Sequence, residues 1–243
     1  MLDAVKLKKY LEFENYALLD SVDSTNDYVS ARIAEGKNSL LAVADSQSNG
    51  KGRFSRKWIS EKGGLYFSFT RDLSSIGYPL QLYPIACSIG VLKYLESLSI
   101  PLLRYKWPND ILVKDRKISG ILCELTDKAV IAGIGVNINI KNIPNELSYI
   151  ATSVYFIKRR EYSLTDAVVS IVKGIGSVEN AEQILNFLDN SGMKGRRIVF
   201  QAQENQVEGI VHGFKENGEI ILKTDKGHES FIAGDVSFVR DAV

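Results

Sequence analysis

The chain is short of the residues that most often carry catalytic or metal chemistry. It has two cysteines, Cys87 and Cys123, and two histidines, His212 and His228. No C-x-x-C pair occurs, which excludes a Cys/His zinc site, and neither thiol has a histidine placed to activate it as a nucleophile. Both thiols lie in apolar runs and read as reduced, buried side chains of a cytoplasmic protein. Long hydrophobic runs are missing too, so no segment reads as a membrane span. The opening MLDAVKLKKYLEFENY has no apolar core of signal-peptide length. An excess of one charge is also absent. Lys plus Arg total 30 and Asp plus Glu 29, a net charge of +1, which argues against a broad basic face coating nucleic acid. There are no repeats or low-complexity tracts.

What remains is an ordinary globular composition, 45% hydrophobic and 24% charged over 243 residues. That suffices for one sizeable core and a small accessory domain. Tyr16 to Leu19 reads as a strand. Ser24-Thr25-Asn26-Asp27 offers capping side chains for a helix that Gly36 ends. Leu40 to Ala44 and Gly64 to Thr70 read as strands, with a long loop from Gln47 to Trp58 between them. Ile85, Ile89, Leu92 and Leu95 mark the buried face of a helix entered through Pro84. Leu102 to Tyr105, Ile111 to Val113 and Lys117 to Leu125 follow as strands. Ala129 to Ile138 is apolar on both faces and reads as central. Leu164 to Val172 and Ala181 to Leu188 read as helices, with a break at Gly174 and Gly176. After Asn190-Ser191-Gly192 only short strands remain, turned at Asn217-Gly218 and Lys226-Gly227, which suggests a small β-barrel. The reading is an α+β fold: a mixed sheet flanked by helices over residues 1–190, then a small barrel over 191–243.

The chemistry concentrates in a few segments. Gly50-Lys51-Gly52-Arg53-Phe54-Ser55-Arg56-Lys57-Trp58 carries four cations and no acid. Its glycines let the backbone present N–H groups to an anion, and each arginine can grip a phosphate or carboxylate with two bonds. It matches neither the P-loop nor the dinucleotide fingerprint. A solvated basic loop, or an RNA-binding loop with Phe54 and Trp58 as stacking platforms, stays open at this point. Lys106-Trp107-Pro108-Asn109-Asp110 sets two polar side chains where a strand emerges. Lys117 to Glu124 places a lysine at the mouth of an apolar strand, in which Glu124 needs a partner. Gly133-Ile134-Gly135-Val136-Asn137-Ile138-Asn139 puts two glycines in a buried strand, a common mark of close ligand approach.

Taken in order, Ser24-Thr25-Asn26, Gln47, the loop Gly50 to Trp58, Lys106 to Asp110, Lys117 to Glu124 and Gly133 to Asn139 resemble the biotin–protein ligase family. The resemblance covers roughly residues 15 to 140, and the terminal barrel is a looser match. It implies a class II synthetase-like catalytic domain, an SH3-like barrel, and ATP-dependent joining of biotin to a lysine of a biotin carboxyl carrier protein through biotinyl-AMP. One departure is Lys51, where many members carry Arg; the charge stays but the planar fork is lost. No helix-turn-helix precedes the first strand, so neither DNA binding nor repression is expected.

The resemblance assigns Ser24, Thr25, Asn26, Gln47, Gly50, Lys51, Arg53, Lys117, Gly120, Gly133 and Gly135 to biotin, the last three leaving room for its ring and tail. It assigns Arg53, Arg56, Trp58, Lys106, Asn109 and Asn137 to ATP. Lys117, Arg53, Arg56 and Asp110 are the expected catalytic groups, and Asp110 with Glu124 the expected magnesium ligands. A glycine loop that orders over the mixed anhydride would shield it from water. A homodimer is expected, paired through an edge near Ala129 to Ile138 or Lys106 to Val113. The alternatives are a lipoate or octanoate ligase of the same fold and, from another class, a nucleic-acid-binding module.

Overall fold

The computed structural model describes residues 2–202 and 205–239, so the last four residues of the expected barrel segment lie outside the described ones. Helix α1 (Ala4–Tyr10) starts at Asp3, whose carboxylate accepts from Lys6 N at 2.9 Å. This helix has no counterpart in the sequence reading. Strand β1 (Asn15–Leu19), helix α2 (Thr25–Ala34) and strand β2 (Leu40–Ala44) follow, with Ser24 as the α2 N-cap. Then come β3 (Leu65–Asp72), α3 (Tyr83–Ser97), β4 (Leu103–Lys106), β5 (Asp110–Val113), β6 (Arg116–Leu125) and β7 (Ala129–Val136). These strands form one mixed sheet in the order β1-β2-β3-β7-β6-β5-β4, parallel between β1 and β2 and antiparallel elsewhere.

Strand β7 is buried along its whole length because it lies in the middle of the sheet. Its central place is as expected, but it cannot supply the dimer edge; the edges are β1 and β4, and β4 includes Lys106. The pleat sorts its side chains. Ile131 joins Val29, Leu40 and Ala42 under α2, while Val130, Ala132, Ile134 and Val136 enter the main core beneath α3.

Helices α4 (Val154–Lys158), α5 (Leu164–Gly176) and α6 (Ala181–Asn190) complete the large layer. Helix α5 runs straight through the expected break at Gly174. A Cβ there would lie 3.1 Å from Gly90 Cα, so the two glycines let α5 cross α3 at close range. Packing has overridden propensity at this site.

The small unit is a five-stranded antiparallel sheet of β8 (Arg197–Ala202), β9 (Asn205–Phe214), β10 (Ile220–Thr224), β11 (Gly227–Phe231) and β12 (Asp235–Phe238), ordered β11-β10-β9-β8-β12. Its buried Ile198, Phe200, Val211, Ile220, Leu222 and Val236 belong to the same core cluster as the large sheet. Trp107, 1% exposed, donates Nε1–H to Gly218 O at 3.0 Å and joins the two units. No helix among the described residues is long and apolar enough to cross a membrane.

Candidate active site

On the α2 face of the large sheet the side-chain layer thins out. Gly133 and Gly135 share the parity of Ile131, and Gly135 stands opposite Gly120 of β6. The bare backbone floors a cleft of about 340 Å³. The protein's own side chains take up much of the room those glycines leave. A Cβ at Gly133 would lie 2.1 Å from Asn26 Oδ1, and one at Gly135 would lie 2.7 Å from the Trp58 indole. A Cβ at Gly120 would meet the Lys117 side chain at 2.9 Å and Trp58 Cζ3 at 3.1 Å. The glycines thus make room for the protein's own side chains as well as for the cleft. They line the cleft, but first they admit Asn26, Trp58 and Lys117.

One end of the cleft is a buried polar network. Thr25 donates from its backbone N at 2.8 Å and from Oγ1 at 3.1 Å to Gln47 Oε1, and Gln47 Nε2 donates to Ser60 Oγ at 2.8 Å. Ser68 Oγ lies 2.7 Å from Thr25 Oγ1 and 2.6 Å from Asn26 Oδ1. Asn26 Nδ2 donates to Glu124 Oε2 at 2.5 Å. Ser24 caps α2, accepting from Asp27 N at 3.4 Å, and also faces the cleft.

The other end is cationic. Lys117 Nζ sits 2.6 Å from Asp110 Oδ1 and 5.1 Å from the Trp58 ring centroid. Its backbone is gripped by the segment that follows β7: its N–H donates to Ile150 O at 2.7 Å, and its carbonyl accepts from Thr152 N at 3.0 Å. Arg53 is half-buried. Burial lowers the proton affinity of its guanidinium, against the opposing pull of Asp235 and Asp110; it stays charged, as arginine does in proteins. Its Nη1 donates to Gly234 O at 3.0 Å and reaches Asn109 Oδ1 at 3.4 Å. Arg56 Nη2 pairs with the Asp235 carboxylate. Lys51 pairs with Asp27 at 2.7 Å, and that bond holds its ammonium above the usual lysine range.

The loop closes on itself. Trp58 N donates to Gly50 O at 2.8 Å and Gly52 N to Arg56 O at 2.7 Å. Phe54 and Ser55 take left-handed backbone angles, φ 54 and φ 57, where glycine is the usual occupant. A Cβ at Gly50 would lie 2.5 Å from Trp58 O, so Gly50 makes this closure possible and is not itself on the cleft wall.

Two further assignments are corrected. Lys106 does not line the cleft; it lies on β4 as the Cα partner of Asp110, with Nζ 3.4 Å from Oδ2. Glu124 and Asp110 do not share a metal site. Asp110 pairs with Gly120, and Glu124 is four residues further along β6, about 13 Å at the rise of a strand. Asp110 is engaged by two lysines and Glu124 by Asn26. Among the described residues no cluster of three or more His, Cys, Asp or Glu could hold a metal.

Ser24, Thr25, Asn26, Gln47, Lys51, Arg53, Arg56, Trp58, Asn109, Asp110, Lys117, Gly120, Gly133, Gly135 and Asn137 all meet in the one cleft. Sequence reasoning missed Ser68, which bonds Thr25 and Asn26 behind the cleft, the wall of Asn142, Ile143, Pro144, Leu147, Ile150 and Ala151, and Asp235 of the small sheet. Ser68 and Asp235 are single polar residues in strands, with no neighbouring motif to mark them. The wall segment carried one clue, the Ile143-Pro144 step a few residues after Gly133 to Asn139.

Residues 18–141 match the Biotin/lipoate A/B protein ligase family, and residues 195–239 match the Biotin protein ligase C terminal domain. The chain belongs to the biotin/lipoate A/B protein ligase family. Every cleft residue named above except Asp235 and the wall from Asn142 to Ala151 falls inside the first match. Among relatives of this family, the bifunctional ligase/repressor BirA of Salmonella typhimurium is 29% identical over 98% of this chain and 78% of its own. The biotin–[acetyl-CoA-carboxylase] ligase of Paracoccus denitrificans is 25% identical over 91% of this chain and 99% of its own. A solved biotin protein ligase from Aquifex aeolicus, in complex with biotin and ATP, superposes with a TM-score of 0.80 at 30% identity, covering 94% of this chain and all of that one.

Proposed function

We propose that this protein is an ATP-dependent biotin–protein ligase that forms biotinyl-AMP and passes biotin to a lysine of a biotin carboxyl carrier protein. One observation carries the reading: Arg53, Arg56 and Lys117, from a loop and a strand far apart in sequence, face one cleft whose other end is a neutral hydrogen-bonding network. Such a cleft suits two anions that must meet and one apolar bicycle with a ureido group.

In the first step the biotin carboxylate attacks the α-phosphate and pyrophosphate leaves. Lys117 bridges carboxylate and α-phosphate, offsetting their repulsion. Arg53 holds the phosphate of the adenylate, and Arg56 the departing phosphates. Trp58 brings an indole N–H that is buried without a hydrogen-bond partner among the described residues, and a face for adenine. Asn137 Nδ2 donates to Thr152 O at 2.9 Å; the rest of its amide complements the adenine edge. Thr25, Gln47 and Ser24 face the ureido group. Magnesium would arrive with ATP, held mainly by phosphate oxygens, and would spread the negative charge of the triphosphate.

In the second step the carrier amine attacks the acyl carbon and AMP leaves. We assign Asp110 to orient Lys117 and to accept the amine's proton. The Biotin protein ligase C terminal domain match favours biotin over lipoate, and arginines already paired inside a cleft do not suit a nucleic-acid surface. Incubation of the protein with ATP and either biotin or lipoate, followed by mass spectrometry, should yield biotinyl-AMP alone. Lipoyl-AMP in its place would assign the other branch of the family.

A further inference from the structure

An acid stands in the cationic wall. Asp235 opens β12, and its backbone pairs with Gln201 of β8 while the next residue, Val236, is buried in the core. Its carboxylate is therefore fixed to the small sheet, with a side chain only 24% exposed. It lines the same cleft as the glycine loop and takes Arg56 as its partner. The neighbouring Gly234 accepts from Arg53. Arg56 itself is 66% exposed and sits on the strained, self-closed turn. The fixed member of this pair is the acid, and the movable member is the arginine assigned to the departing phosphates.

A carboxylate beside a polyphosphate site repels the ligand unless its charge has a use. Carboxylate and phosphate offer a guanidinium the same two-pronged acceptor geometry. We propose that Asp235 is a positioning residue that competes with the nucleotide's phosphates for Arg56. Without nucleotide it holds Arg56, and with it the loop, against the small sheet. When ATP binds, Arg56 exchanges the carboxylate for phosphate oxygens, whose greater charge wins. When the α-phosphate bond has broken, Asp235 takes the arginine back and pyrophosphate leaves. This deepens the proposed function and rests on its adenylation step.

The test uses the full chain, with biotinyl-AMP quantified by mass spectrometry at saturating biotin. Asp235→Asn keeps the shape and removes the charge. It should lower KM for ATP and the inhibition constant for added pyrophosphate together, each by about three- to ten-fold, and leave KM for biotin unchanged. Asp235→Ser should do the same, which guards against a folding artefact of either variant. In an Arg56→Gln background the effect of Asp235→Asn should vanish. A purely structural tie would instead raise KM for ATP, and tightening that persists without Arg56 would mean a general field effect; either result overturns the competition. If the unaltered protein makes no biotinyl-AMP at all, it is the adenylation reading that fails.

Discussion

Lys117 works between an acid and an aromatic face. Asp110 at 2.6 Å fixes its ammonium while Trp58 covers it. Removing a preorganised charge of this kind typically slows the chemical step about 10²- to 10³-fold, so Lys117→Ala should leave biotinyl-AMP formation slower by at least that factor in a single-turnover assay. Arg53→Ala should act later. Adenylate still forms, but biotinyl-AMP dissociates faster, about ten-fold or more if one charged hydrogen bond is lost, as read by filter retention of labelled intermediate. Gly133→Ala places a methyl 2.1 Å from Asn26 Oδ1. The bonds of Asn26 to Ser68 and Glu124 must then shift, and KM for biotin should rise while KM for ATP holds. Unchanged biotin affinity in that variant would detach the polar network from biotin.

At the level of elements, the crossing of α3 and α5 was hidden from periodicity. The sequence pattern marks each buried face but not the distance between helices. Gly90 supplies that distance: a Cβ there would meet Ile175 Cγ1 at 2.5 Å and Ile171 O at 2.9 Å. Overpacking of this kind costs about 1–3 kcal/mol, so Gly90→Val should lower the unfolding free energy from denaturant titration by that much while Gly176→Ala, with open space around it, should not. The Asn217-Gly218 turn offers a pH test. Glu219, bonded first by Lys215 and then by Asn217 and Ser230, titrates at about 2 instead of in the usual carboxylate range. A depressed folded value means its contribution is complete above the unfolded value and is lost as pH falls towards 2. Glu219→Gln should therefore flatten the acid limb of the stability profile and leave the neutral limb level.

For the whole molecule, two sheets share one core. The Trp107 ring lies 6.1 Å from that of Phe200 and bonds Gly218; Leu82 and Ile85 crowd the same glycine, and all these apolar side chains belong to one core cluster. Heat should then unfold the chain in one transition, with near-UV and far-UV signals coincident. Trp107→Ala should lower stability by about 3–5 kcal/mol. Two resolved transitions, with the adenylation chemistry surviving the first, would separate the units.

Alternation and turn chemistry alone determined most strands, the capped helix α2, the central place of β7 and the break in composition before the small sheet, because pleat and helix period are local properties of backbone sterics. The charged loop, the strand-mouth lysine and the glycine pair were also legible, since each is a run of unusual residues. The tertiary structure decided which glycines face which side chains, that Lys106 and Glu124 stand off the cleft, and that Asp235 joins it. Those facts depend on register and packing between segments up to 181 positions apart, and no local pattern encodes a distance of that kind.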